Sequence, residues 1–333
     1  MELKKESMQI LREKSRAKSQ VTFDEDFNVP DAKPDVGRLI QHKGRIIMED
    51  VRLADGKGIL RGDLQVDVLY VGEESGIISS LTAKLPFEET LNLKDIVNGD
   101  KMCLKWEIED LTLRLIHSRK LNIKALVTFY AAVDETEQIR LPVALDVTDI
   151  SVRKKQVRFL GLTVHKKDTF RIKDEYTIAS NRPDISGLIW YTMDVRGLEL
   201  KPEENIVKAR GELSVFVLYE SEDTEAPVQW LEYALPFSGE VECPDCTEEL
   251  IPGIEVSVMH QSLEVKPDAD GEERIFVSDV VLELDMKFFR EEECSMVTDV
   301  YTPLRECIPE GKNEVLERPV SYTHLRAHET GAY

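Results

Sequence analysis

The sequence predicts a mainly β protein: two tandem homologous domains, each a β-sandwich or open barrel, behind a short N-terminal helix. Two observations carry this. Apolar and polar residues alternate through most of the apolar segments, the period of a half-buried strand. The chain also writes one strand twice, "GDLQVDVLY" at 62–70 and "GELSVFVLY" at 211–219, 149 positions apart. The flanks match at the same offset, with "PDVGRLI" at 34–40 answered by "PDISGLI" at 183–189. Further on, "KLPFEE" at 84–89 meets "ALPFSG" at 234–239, the offset now 150. Colinear blocks at one offset mark a duplicated domain of ordinary size.

The elements follow in order. Residues 1–20, "MELKKESMQILREKSRAKSQ", have charge but no continuous apolar stretch, so they are no secretory signal. They read as a short helix with Leu3, Ile10 and Leu11 free to dock on the first domain. The first repeat is assigned to 21–150. In it "LQVDVLYV" puts Leu64, Val66, Val68 and Tyr70 on one face, and "LKWEIE" does the same with Leu104, Trp106 and Ile108. The run "LNIKALVTFYA" at 121–131 is apolar on both faces in its middle, as a central strand would be. "LKDIVNG" at 93–99 allows one helical turn at most, and "LPVALDVTDISV" at 141–152 reads as a strand linking the repeats. The second repeat is assigned to 151–318, with "VSDVVLELDMKFF" at 277–289 as its central strand and "DADGEE" at 268–273 as a hairpin turn. Residues 319–333 break the pattern. "VSYTHLRAHET" looks like the in-frame translation of a transposon-type sequencing adapter, to be left out of fold reasoning.

Composition bounds the function. The chain has 333 residues, 42% hydrophobic and 32% charged, with a formal net charge of −21. That suits a globular protein with real cores. It argues against wrapping nucleic acid, which needs clustered Lys and Arg. No apolar run approaches the ~20 residues that cross a bilayer, and the reading places the protein in the cytoplasm. The basic stretches "KSRAK" at 14–18 and "VRKKQVR" at 152–158 read as solvated charge, the second as a linker; a docking patch for an acidic partner is the alternative. Five cysteines, Cys103, Cys243, Cys246, Cys294 and Cys307, are too few and too scattered for a disulfide framework.

A search for chemistry finds little. Cys243-Pro-Asp-Cys246 is the most metal-like string, but a zinc site wants a second ligand pair. Cys294 and Cys307 do not form one, although His260 could contribute. His42, His117, His165 and His260 have no recurring acid or nucleophile beside them, and there is no phosphate loop or nucleophile elbow. The residues that recur are Pro34, Asp35, Gly62, Tyr70 and Pro86, answered by Pro183, Asp184, Gly211, Tyr219 and Pro236. They read as packing and turn residues. No catalytic residue, metal or cofactor is assigned.

"VPDAKPDVGRLI", "GDLQVDVLYV" and "LPFEE", with the second set "IASNRPDISGLIW", "GELSVFVLYE" and "LPFSG", resemble the SPOCS domain of SipL-type spore-coat morphogenetic proteins of spore-forming Firmicutes. "DVYTPLREC" at 299–307 is similar to the segment leading from one such repeat into the next. The resemblance covers 20–318. It implies a non-enzymatic scaffold in the mother-cell cytoplasm, at the forespore surface, which binds coat morphogenetic proteins including the ATPase of the coat basement layer. It implies no cofactor. Members of this family often carry a C-terminal LysM module, absent before Arg318. The alternative is a cell-wall or glycan-associated protein with recognition in that missing part.

Overall fold

The computed structural model describes residues 2–303, apart from 55, 98, 99, 148, 149 and 224. Every regular element among them is a strand. The first repeat contains β1 (Glu2–Asn28), β2 (Val36–Ala54), β3 (Lys57–Gly72), β4 (Ile78–Asn92), β5 (Lys101–His117) and β6 (Lys120–Asp146). The second contains β7 (Ser151–Thr177), β8 (Ile185–Glu203), β9 (Ile206–Ser221), β10 (Val228–Glu242), β11 (Ile251–Pro267) and β12 (Glu273–Tyr301). Each repeat folds as two antiparallel three-stranded sheets, ordered β1-β6-β5 and β2-β3-β4 in the first, β7-β12-β11 and β8-β9-β10 in the second. The sheet edges meet, β1 lying beside β4 and β2 beside β5, and their counterparts likewise. The sandwich is thereby nearly closed into a barrel, an arrangement that leaves few free edges.

Alternation explains why these residues form these strands. Leu64, Val66, Val68 and Tyr70 on β3 point into the first core, and Leu213, Val215, Val217 and Tyr219 on β9 into the second, all fully buried. The apolar runs at 121–131 and 277–289 are the central strands β6 and β12. Burial of this kind contributes roughly 25 cal/mol per Å² of apolar surface.

The N-terminal helix is not formed. Residues 2–28 are one long strand, paired with β6 from Glu2↔Asp146 to Asn28↔Lys120. Its Glu, Lys, Arg and Gln favour helix by intrinsic propensity, but β6 offers an edge along its whole length and tertiary pairing overrides propensity. Met8 and Ile10 then face the second repeat. There Met8, Ile139 and Leu141 close on Phe159 and Cys294, a small core between the β1/β6 and β7/β12 ribbons.

Further readings are corrected. "VRKKQVR" is no linker: it lies in β7, paired with β12, and Arg158 is bonded to Glu293. In "KSRAK", Lys14 meets Asp100 at 2.9 Å and Lys18 lies over the Tyr130 ring. The segment 141–152 is not one strand but the end of β6 and the start of β7. Around 93–97 the chain makes a turn with Asp95 at φ 58°, not a helical turn. The hairpin at 268–273 forms as expected, with the Asp268 carboxylate accepting from the amides of Asp270 and Glu272. Cys307 and the segment 319–333 lie outside the described residues.

Candidate functional site

The recurring residues sit where packing and turn geometry are tightest. A Cβ added at Gly62 would stand 2.2 Å from the carbonyl oxygen of Ile47. Gly62 lies opposite a β-bulge, where β2 slips register between Met48 and Asp50. Gly211 holds the same place opposite the irregularity between Arg196 and Glu199 of β8. Bulges draw backbones together, and only glycine fits such an approach. Pro86 and Pro236 lie on β4 and β10, the end strands of their sheets, where a missing N–H is tolerated. Their neighbours Phe87 and Phe237 pack against Phe129 and Phe170.

Pro34-Asp35 and Pro183-Asp184 are halves of a polar clamp that a single repeat offset does not reveal. The Arg119 guanidinium donates to Asp35 at 3.0 Å, to the carbonyls of Lys33 and Val29, and to Asp31. Ser118 adds a bond to the other Asp35 oxygen. In the second repeat Arg274 is bonded to Asp184 and to the carbonyls of Ala179 and Arg182. The clamp ties the turn before β2 or β8 to the last hairpin of its repeat. Since that hairpin is five residues longer in the second copy, Arg119 and Arg274 stand 155 apart. A comparison at 149 or 150 misses them.

The Tyr70 hydroxyl donates to the Pro34 carbonyl at 3.0 Å. Burial raises its pKa, while a bond with Ser79 and the charge of Arg119 act the other way. Tyr219 is equally buried, with its hydroxyl unpartnered among the described residues.

Cys243 and Cys246 lie wholly inside the second core. Their segment is a tight turn, closed by the Cys246 amide on the Cys243 carbonyl and by Asn205, with Asp245 at φ 65°. They take the places of Leu93 and Ile96 in the first repeat. Burial pushes the Cys246 thiol up to about 12 and raises that of Cys243, which disfavours the free thiolate a nucleophile needs. Cys294 packs in the separate core between the ribbons and His260 is exposed on β11. Among the described residues no group of three or more His, Cys, Asp or Glu is placed to hold a metal. The His42 ring meets the Leu111 carbonyl, and the His117 ring accepts from the Arg119 amide.

One cluster of ionisable groups was not foreseen, at the junction of the repeats. His165 meets Asp285 at 2.8 Å and Lys167 lies 3.4 Å from its other oxygen. Lys287 reaches across to Asp134, and Lys105 to Glu255 at 2.8 Å. Burial works to raise the Asp285 pKa, but the His165 bond and the charges of Lys167 and Lys287 outweigh it and hold the carboxyl below its ordinary value. Cys103 points at Glu255 here; burial and that carboxylate raise its pKa. No alternating pattern announces such a cluster, because its members come from five strands.

Matched against known families, the chain fits the model "SipL, SPOCS domain" twice, over residues 35–116 and 184–266. The chain belongs to the SipL SPOCS-domain family. Both matches begin at the clamp aspartate, Asp35 or Asp184, and run into β5 or β11. Membership points to a sporulation-related role. No curated protein and no solved structure matches the chain. Among the described residues no helix is long and apolar enough to cross a membrane.

Proposed function

We propose that this protein is a non-enzymatic scaffold in spore envelope assembly, which binds coat morphogenetic proteins, including the coat basement-layer ATPase, at the forespore surface in the mother-cell cytoplasm. The observation that carries the reading is what the two copies share. The repeated polar group, Asp35 with Arg119 and Asp184 with Arg274, spends its donors on backbone carbonyls of its own turn. A duplicated fold whose common polar residues are consumed in holding loops presents surfaces rather than chemistry. Two linked domains also raise avidity when their spacing fits a partner, and a net charge of −21 favours basic partners, with faster association at low salt. The test is capture from a lysate of sporulating cells by the full chain immobilised on beads, at low and at high salt. Salt-sensitive recovery of a coat protein is expected. Recovery of glycan and no coat protein would refute the reading.

A further inference from the structure

The two repeats differ most at the seam where their sheets meet. In each, two sheet-end strands lie side by side, β2 with β5 and β8 with β11. In the first repeat the seam is sealed. Trp106, Ile108 and Leu111 of β5 pack against the core. β2 comes so near that a Cβ on Gly44 would stand 2.9 Å from Leu111 and 3.1 Å from Ile108. His42 of β2 meets the Leu111 carbonyl at 3.1 Å. The bulged residue, Glu109, is bonded to Thr128 and Gln20.

At the same positions of β11 the second repeat has Val256 for Trp106, Val258 for Ile108, Met259 for Glu109 and Gln261 for Leu111; on β8 Met193 replaces Gly44. Val256 and Val258 are smaller than Trp106 and Ile108, and residues 255–260 are exposed on both faces of β11. Val256 is 39% exposed, Val258 45% and Met259 58%. Charge is withdrawn as well. From 105 to 113 the first repeat has Lys105, Glu107, Glu109 and Asp110, whereas from 255 to 263 the second has only Glu255 and His260. Glu255 is itself engaged by Lys105. Natural sheet ends are guarded by charge against strand addition. β5 carries charge beside its bulge, whereas β11 keeps the bulge, between Val258 and His260, and lacks the charge.

We propose that β11 is a docking edge for an extended segment of a partner protein, which adds as a strand along residues 255–261. The inference rests on the scaffold reading and names its surface. One side of β11 is paired to β12, from Val256↔Leu284 to Gln261↔Val280, and the other ends the sheet. An added strand satisfies that free row of backbone groups, and alternate side chains supply specificity. The occupant is apolar at every second position, to lie on Val256 and Val258. Lys or Arg flanks its apolar core, because Glu264 ends the exposed run, Glu283 stands across from Ser257 and the chain is strongly acidic. A second copy of this chain is a poor occupant, since two bodies of net charge −21 repel.

The probe is a labelled peptide, acetyl-KKVTVTVKK-amide, with acetyl-KKVTPTVKK-amide as the strand-breaking control. Titrated into the full chain, the first is expected to bind and to slow amide exchange of residues 255–261 at least tenfold, and the second to do neither. Val258→Lys with Met259→Glu puts charge on the edge, as Glu109 does in the first repeat, and weakens binding at least tenfold. Ile77→Lys, an exposed apolar residue elsewhere, leaves binding unchanged. Circular dichroism and melting checks that both variants are folded. No binding, protection mapped to another strand, equal binding of the proline peptide, or concentration-dependent self-association through 255–261 overturns the proposal. Lysate capture by wild type and by the double variant separates the two readings. Equal capture of a coat protein by both sinks the docking edge and leaves the scaffold standing. Peptide binding at β11 with no coat protein captured by wild type does the reverse.

Discussion

Gly62→Ala is the sharpest probe of the shared framework, because its counterpart Gly211→Ala serves as an internal control. The new methyl at 62 would be 2.2 Å from a backbone oxygen, that of Ile47. Carbon–oxygen contacts settle at about 3.3 Å or more, so β2 and β3 must part by roughly 1 Å. Overpacking of this order costs about 1–3 kcal/mol, and one or two weakened ladder bonds add about 0.5–1.5 kcal/mol each. The reduced freedom of alanine in the unfolded chain returns about 0.4–1 kcal/mol. The net loss is about 3 kcal/mol. At Gly211 the nearest atoms are the Phe237 ring edge at 2.8 Å and the Arg196 oxygen at 3.1 Å. A ring can tilt, so the net loss there is about 1 kcal/mol on the same terms. For domains of this size the shifts in Tm are about 6–12 °C and about 2–4 °C. Hydrogen exchange read separately on peptides from β3 and β9 assigns each loss to its own domain. A Gly62→Ala protein within 0.5 kcal/mol of wild type, or a costlier Gly211→Ala, would refute the argument that backbone approach selects these glycines.

Arg274→Ala is expected to destabilise the second repeat by about 3–4 kcal/mol and Arg119→Ala the first by about 2 kcal/mol. The second arginine side chain is 10% exposed and the first 29%, and charged hydrogen bonds weaken with solvent access; denaturant midpoints with domain-resolved exchange would show the order, and a reversed order would count against the clamp. Asp285 has a depressed folded pKa, so its contribution to stability is present above its unfolded value near 4 and is lost as pH falls through the folded one. Asp285→Asn should therefore flatten the stability–pH curve below about pH 4, measured by denaturant midpoints from pH 2 to 7, and an unchanged curve would remove Asp285 from the account. Cys243→Ser and Cys246→Ser should each cost about 1–3 kcal/mol through a buried hydroxyl, and protein purified without added zinc should contain no stoichiometric metal by elemental analysis. Tight zinc lost in Cys243→Ser would overturn the packing reading of this turn.

Strand alternation and the repeat were legible because both are one-dimensional: Leu64, Val66 and Val68 announce their face without reference to anything else. What was not legible depends on pairing across the fold. Residues 2–20 look helical in isolation and become strand only because β6 runs on to Asp146 with a free edge beside it. The clamp escaped because one partner, Asp35 or Asp184, lies in a block matched at 149 while the other follows a lengthened hairpin. Had the repeats been aligned on the apolar run 121–131 against 276–286, the two arginines would have coincided. Cores and clamps are kept in both copies. The seam is where the copies differ: β5 carries Glu107, Glu109 and Asp110, and β11 has Ser257, Met259 and His260 in their places. That asymmetry is the physical reason to look for binding at β11 and not at β5: a sealed, charged edge costs nothing to keep, whereas an exposed apolar one carries an aggregation risk that is tolerable only if something covers it.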